Sequence, residues 1–166
     1  MSARTTTTRR VLAALGAPLV MAGLVLAPAT TAQAHDNTWV DEHTRLTKDC
    51  PCYLSDSYDG TYFKKDAGGL AYKGEIYSGD TLVGKVEFHP HGEQFWTYDT
   101  RANGDGFYFA ASWWEDGKRR NAYIETPSGA QSSDLDIPEG TMVTIQVWDD
   151  GWWDDDSELL HETAIA

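Results

Sequence analysis

The chain has 166 residues, with 13 basic and 26 acidic side chains and a formal charge of -13. That length predicts a single domain. So acidic a balance, with positive charge gathered only at Lys118-Arg119-Arg120, excludes nucleic acid and anionic membranes as expected partners.

Arg4, Arg9 and Arg10 precede an acid-free apolar run from Val11 to Ala27, and Ala32-Gln33-Ala34 places small residues at the two positions that a leader peptidase reads. Residues 1–34 therefore read as a cleaved signal peptide, and the mature protein as secreted, beginning at His35. Thr8-Arg9-Arg10-Val11-Leu12 also fits a twin-arginine signal, although paired arginines occur in ordinary leaders. Loss of three arginines and no acid leaves 132 residues with 10 basic and 26 acidic side chains, a net charge of -16. No later segment is long and apolar enough to span a bilayer. A chain of this size buries roughly two thirds of its unfolded surface, so its core does not depend on cross-links.

Residues 35–60 mix charges with few apolar positions and read as an N-terminal arm, extended or a poorly regular entry strand. Within it, Cys50-Pro51-Cys52 holds both cysteines of the chain. In an oxidising compartment these are expected to pair as a local disulfide. So small a loop restricts the unfolded chain little and contributes weakly to stability. A redox pair or a soft-metal site would use the same thiols, but two thiolates do not complete a copper or zinc shell.

From Thr61 onward, short apolar runs alternate with turn signals such as Asp66-Ala67-Gly68-Gly69, Ser78-Gly79-Asp80, Asp116-Gly117 and Pro138-Glu139-Gly140. Val86 and Phe88 alternate with Lys85, Glu87 and His89, and Val143, Ile145 and Val147 alternate with polar neighbours, the pattern of half-buried strands. Runs from Gly106 to Trp114 and from Lys118 to Glu125 flank Asp116-Gly117, a hairpin signal. No helix is expected after the leader. Residues 61–166 are predicted to be all-β, an antiparallel two-sheet β-sandwich of six to eight short strands.

Gly84-Lys85-Val86-Glu87-Phe88, Gly92-Glu93-Gln94-Phe95 and Tyr98-Asp99-Thr100-Arg101-Ala102-Asn103-Gly104 together resemble a strand-and-turn pattern of small secreted actinobacterial β-sandwich proteins of unassigned function. Glu93 and Asn103 stand where that pattern has aspartates, and this chain lacks the later cysteines of those proteins. The shared residues are turn chemistry, so the resemblance implies an all-β fold and secretion, and no activity.

His35 would offer a free amine and an imidazole after cleavage, and His89-Pro90-His91 closes a strand with further imidazoles. Three nitrogens in a plane suit copper(II). The set resembles the histidine brace of lytic polysaccharide monooxygenases and related copper proteins, also β-sandwiches beginning with a processed histidine. That resemblance implies His35, His89 and His91 as candidate metal ligands; the plain alternative leaves all three at the surface. The acidic run Asp149 to Asp156, and Asp99 with Asn103 and Asp105, raise calcium as a candidate ion. Neither spacing matches a known calcium loop, and a solvated acidic turn explains both.

Seven tryptophans include the adjacent pairs Trp113-Trp114 and Trp152-Trp153. Strand neighbours point to opposite faces, so one ring of each pair is expected outside the core. Parity with Phe107 and Phe109 sends Trp114 outward, and parity with Val143, Ile145 and Val147 sends Trp148 outward. Trp114, Trp148 and Trp152 are therefore candidate ligand-binding aromatics, suited to sugars or to an apolar patch on a partner. The sequence has no nucleophile elbow, zinc-protease helix or phosphate loop, and no catalytic residue is assigned. Two readings follow. One is a secreted, acidic, non-catalytic and monomeric module, without a cofactor, that binds extracellular polysaccharide or a protein through exposed aromatics. The alternative is a copper-binding protein built on the processed His35.

Overall fold

The alternation seen from Thr61 onward, and part of the arm before it, becomes extended backbone in the computed structural model, which describes residues 35, 37–101, 106–149 and 158–166. The leader and Trp152 lie outside these residues. Among the described residues eleven strands follow one another: β1 (Thr38–Leu46), β2 (Cys52–Leu54), β3 (Thr61–Phe63), β4 (Leu70–Ser78), β5 (Thr81–His89), β6 (Gln94–Asp99), β7 (Phe107–Glu115), β8 (Lys118–Thr126), β9 (Gly129–Asp134), β10 (Met142–Trp148) and β11 (Glu158–Ile165). One short 3-10 turn, Thr47–Asp49, is the helical element among them. No helix of the described residues is long and apolar enough to cross a membrane.

Every pairing is antiparallel, as expected. The expected six to eight strands in two facing sheets are replaced by a nine-stranded sheet of order β8-β7-β10-β11-β4-β5-β6-β9, with β1 also paired to β4, and by a separate β2–β3 ribbon. The long sheet curls until its ends approach. Thr97 on β6 and Thr126 on β8 share a buried hydroxyl hydrogen bond of 2.8 Å. Gln131 on β9 donates to the Glu125 carbonyl on β8 at 3.1 Å. Strand twist accumulates across so many strands, and near-closure protects edges that a flat sheet would leave exposed. Alternation along each strand cannot distinguish one curled sheet from two flat ones, because both bury one face.

That buried face is continuous. Tyr72, Ile76, Val86, Phe88, Phe95, Phe107, Phe109, Val143, Ile145 and Val147 form one apolar cluster inside the curl, where each fully buried large side chain contributes roughly 1.5–3 kcal/mol. The predicted hairpin joins β7 to β8, with Asp116 and Gly117 both at positive φ (50° and 71°), as a tight two-residue connection requires.

The arm is extended, and its first part is a more regular strand than its sequence suggests. Residues Thr38 to Leu46 pair with β4 along their whole length, from Thr38 opposite Ser78 to Leu46 opposite Leu70. Backbone hydrogen bonds hold this strand, and its charged side chains stand off into solvent, so apolar periodicity was a poor guide to it. The rest of the arm supplies β2, which pairs with β3 from the following segment as a lid on the outer face of the sheet. Cys50 and Cys52 form the expected disulfide. Cys50 packs with Phe63 and Ala71, and Cys52 and Leu54 join them in a second, smaller apolar cluster beneath the ribbon.

Candidate functional site: a cleft walled by the ribbon

β4 and β5 each place an alternating basic and acidic pair on their outer face: Lys73 and Glu75 on one strand, Lys85 and Glu87 on the other. Antiparallel register sets Lys73 opposite Glu87 and Glu75 opposite Lys85. Instead of facing water, all four are buried by the loop between β2 and β3. Asp56 of that loop enters from above. Its Oδ1 accepts the backbone N–H groups of Tyr58, Asp59 and Gly60 at 2.9, 3.0 and 2.8 Å. Its Oδ2 receives the ammonium groups of Lys85 at 3.1 Å and Lys73 at 3.3 Å. Gly60 makes this turn possible, since its φ is +72° and a Cβ there would meet the Tyr53 ring.

The remaining partners complete the network. Lys73 Nζ lies 2.9 Å from Glu75 Oε2 and donates to the Ser55 carbonyl at 3.1 Å. Lys85 Nζ lies 2.7 Å from Glu87 Oε1, bonds Asp59, and sits 4.3 Å from the centroid of the Tyr98 ring. Asp56, Asp59 and Glu87 are close enough to share one cation, and the Lys85 ammonium already lies among them. Burial alone would lower the Lys85 pKa, but Glu87 above all, with Asp59 and Asp56, pushes it up to about 12. Burial would likewise raise Asp56, yet the N–H groups of Gly60 and Tyr58 and the Lys85 ammonium hold its carboxyl well below the usual carboxylate range. Glu87 is also lowered against the cost of burial, chiefly by its bond from His89 and by Lys85. Such a set is stable only when complete, because each charge has given up water for its partners.

This network seats the ribbon, and the seated ribbon makes a cleft. Asp59, Tyr62 and Lys64 form one wall; His89, His91, Gln94, Trp96 and Tyr98 form the other; Glu87 lies at the base, in a space of about 360 Å³. The Trp96 and Tyr98 rings lie nearly parallel, 22° apart with centroids at 6.3 Å. Tyr62 is exposed, Trp96 partly so, and Tyr98 is buried behind it. Glu87 Oε2 accepts from His89 Nε2 at 2.7 Å, and Phe63 meets the His89 ring edge-on at a centroid distance of 4.8 Å. With Oε1 bonded by Lys85 and Thr61, both Glu87 oxygens are engaged and the carboxylate stays ionised. The cleft offers ring faces and polar side chains for binding.

The predicted site residues are scattered. Trp113 is buried and Trp114, 67% exposed, points outward as parity requires. Trp148, the other half of the expected platform, is 1% exposed. It does lie off the main apolar cluster, beside Tyr108 of β7. Alternation correctly chose its face but could not foresee that this face is covered, so no Trp114–Trp148 platform exists.

The three histidines do not converge. His35 stacks on Phe107, with centroids 5.0 Å apart and planes at 8°, and Phe107 packs over Gly84, where an added Cβ would lie 2.6 Å from its ring. His89 is five residues farther along β5, on the opposite face, roughly 16 Å away at about 3.3 Å per residue. Among the described residues, two groups of His, Cys, Asp or Glu are close enough to share an ion, Asp41-His43-Glu75 and Asp56-Asp59-Glu87, and neither contains His35, His89 or His91. Of the calcium candidates, Asp149 bonds His35, and Asp99 Oδ1 accepts the Arg101 N–H at 2.8 Å. Asn103, Asp105 and residues 150–156 lie outside the described residues.

Sequence reasoning missed Trp96, Tyr62 and Gln94 as cleft residues, and it took Lys85 and Glu87 for a solvated face. One signal was present: Lys-x-Glu occurs at 73–75 and again at 85–87, on consecutive strands joined by a short turn, which in antiparallel register pairs opposite charges. Compared with protein-family models, curated proteins and solved structures, the chain matches none.

Proposed function

We propose that this is a secreted, non-catalytic binding protein that takes an extracellular polysaccharide in the cleft between the ribbon and strands β5 and β6. The observation that carries this reading is the cleft's composition. Half-exposed Trp96 and exposed Tyr62 offer ring faces, and Gln94, Lys64, Asp59 and His91 offer hydrogen bonds around them. A sugar ring presents the matching surface, with apolar C–H groups on its faces and hydroxyls at its rim. The volume falls in the range of small-ligand sites, about 300–1,000 Å³. Secretion is supported by the leader pattern of residues 1–34 and by the Cys50–Cys52 disulfide, a bond that persists in oxidising compartments.

The test is co-sedimentation of the mature protein with insoluble chitin, cellulose and bacterial cell wall. Trp96→Ala is expected to weaken retention at least tenfold, about 1.4 kcal/mol, while the thermal melt stays that of the parent. Failure to bind any of these polymers, or equal retention by Trp96→Ala, would remove the polysaccharide reading.

A further inference from the structure

His35 is the residue expected to become the N-terminus, and Asp149 grips it at two points. The backbone N–H of His35 donates to Asp149 Oδ2 at 2.8 Å, and Nδ1 donates to Oδ1 at 2.7 Å. Both side chains are buried, the imidazole 7% exposed and the carboxylate 2%, and the imidazole lies flat on Phe107 of the apolar cluster. Most chain starts fray in solvent unless something ties them down. Here the tie joins position 35 to the end of β10 and to the beginning of β7, elements more than seventy residues away along the chain.

We propose that Asp149 is the receptor for the α-ammonium of the mature chain, so that removal of the leader completes this contact; the inference rests on the secretion reading above, through cleavage between Ala34 and His35. A leader peptidase would add water across that peptide bond. Ala34 departs with the new carboxylate, and His35 keeps the nitrogen as an amine, which takes up a proton. One neutral N–H donor thereby becomes an ammonium at hydrogen-bond distance from a buried carboxylate. Charge-assisted hydrogen bonds are roughly twice as strong as neutral ones, and the low local dielectric deepens the difference. An uncleaved or wrongly cleaved chain retains the amide and lacks the ion pair. Asp149 thus distinguishes a chain that starts at His35 from one that does not.

The experiment uses a chain released from a removable fusion so that it begins at His35, whatever the cell does with the leader. It is compared with a chain carrying one alanine before His35, and with Asp149→Asn in both backgrounds. The His35-start protein is expected to melt roughly 3–6 °C above the extended one. Asp149→Asn should erase most of that gap. An amine-acylating reagent should label the α-amine of the His35-start protein at least tenfold more slowly than in its Asp149→Asn form, read by mass spectrometry. Equal melting of the His35-start and extended chains, with equal labelling rates, overturns the ion pair. If Asp149→Asn does not fold, the extended chain alone decides, since it leaves both side chains in place. Mass spectrometry of the protein secreted by a host that processes leaders tests the other premise. A start at His35 supports the processing role, and any other start overturns that role even if the ion pair forms.

Discussion

On β4 and β5 the inner face carries Tyr72, Ile76, Val86 and Phe88 and the outer face carries Lys73, Glu75, Lys85 and Glu87, and every one of these side chains is buried. The inner set is held by a non-directional force that depends on area removed from water. The outer set is held by directed pairs, in which each ammonium and carboxylate needs its particular neighbour. A core built the first way degrades gradually as volume is lost; one built the second way fails when a single member leaves an unpartnered charge. The outer face of β7 supplies a third case. Among the described residues no ribbon covers Trp114 there, and it stays exposed although it obeys the same alternation. Burial on an outer face is thus a property of what lies over it.

The sharpest way to break this comparison is to delete one member from each buried face. Lys85→Met should lower the unfolding free energy by about 3–5 kcal/mol, since the buried carboxylates of Asp56 and Glu87 lose an ammonium. Adding Glu87→Gln should restore a substantial part, because fewer charges then remain uncompensated. Phe88→Ala should cost a similar ~3–5 kcal/mol, but no polar change at a second site should recover it. Urea denaturation with both singles and the double decides the matter; a Lys85→Met loss below about 1 kcal/mol would show that the network is not holding the ribbon.

The acid end of the pH dependence of stability should carry the signature of the outer face, whereas at the alkaline end Lys85 acts together with the hydroxyls of Tyr72 and Tyr98, whose pKa values burial pushes up. The folded pKa of Asp56 is depressed, so its contribution is fully present above its unfolded value near pH 4 and is lost as pH falls toward the folded one. Lys85 is raised from 10.5 to about 12, so its contribution is complete below pH 10.5 and is lost as pH rises toward 12. Thermal melts should therefore show both losses in the parent and in Phe88→Ala, and a weakened alkaline loss in Lys85→Met.

A smaller effect is expected at the turn that aims Asp56. Gly60→Ala must adopt a positive φ and displace the Tyr53 ring, which should cost roughly 1–3 kcal/mol and weaken polysaccharide retention by loosening one wall of the cleft. The smallest effect belongs to the uncovered face. Trp114→Ala should change stability by no more than about 0.5 kcal/mol and leave retention unchanged, a direct contrast with Trp96→Ala.

Much of the fold was legible. The alternating runs around Val86 and Val143 are strands with the expected inner residues, and the Asp116-Gly117 turn, with a required positive φ at both positions, forms the hairpin it announces. These features depend on backbone sterics and on period-two burial, which act over a few residues. The regularity of β1 was not legible, because its stability comes from pairing with β4 and not from its own side chains. Trp148 was misjudged because parity names a face and not its cover. The cleft was illegible for the same reason: Tyr62 and Trp96 are thirty-four positions apart and meet only because the ribbon folds over the sheet.

The amino-acid sequence alone determined an antiparallel all-β chain, the residues that face its interior and its acidity, since each follows from local geometry or composition. Tertiary structure decided that one sheet curls nearly closed, that a ribbon buries Lys73, Glu75, Lys85 and Glu87, that Trp96 rather than Trp148 faces a cleft, and that Asp149 holds His35. Those outcomes depend on which distant segments lie over one another, and the free energy of such contacts resides in pairs of residues that no local pattern brings together.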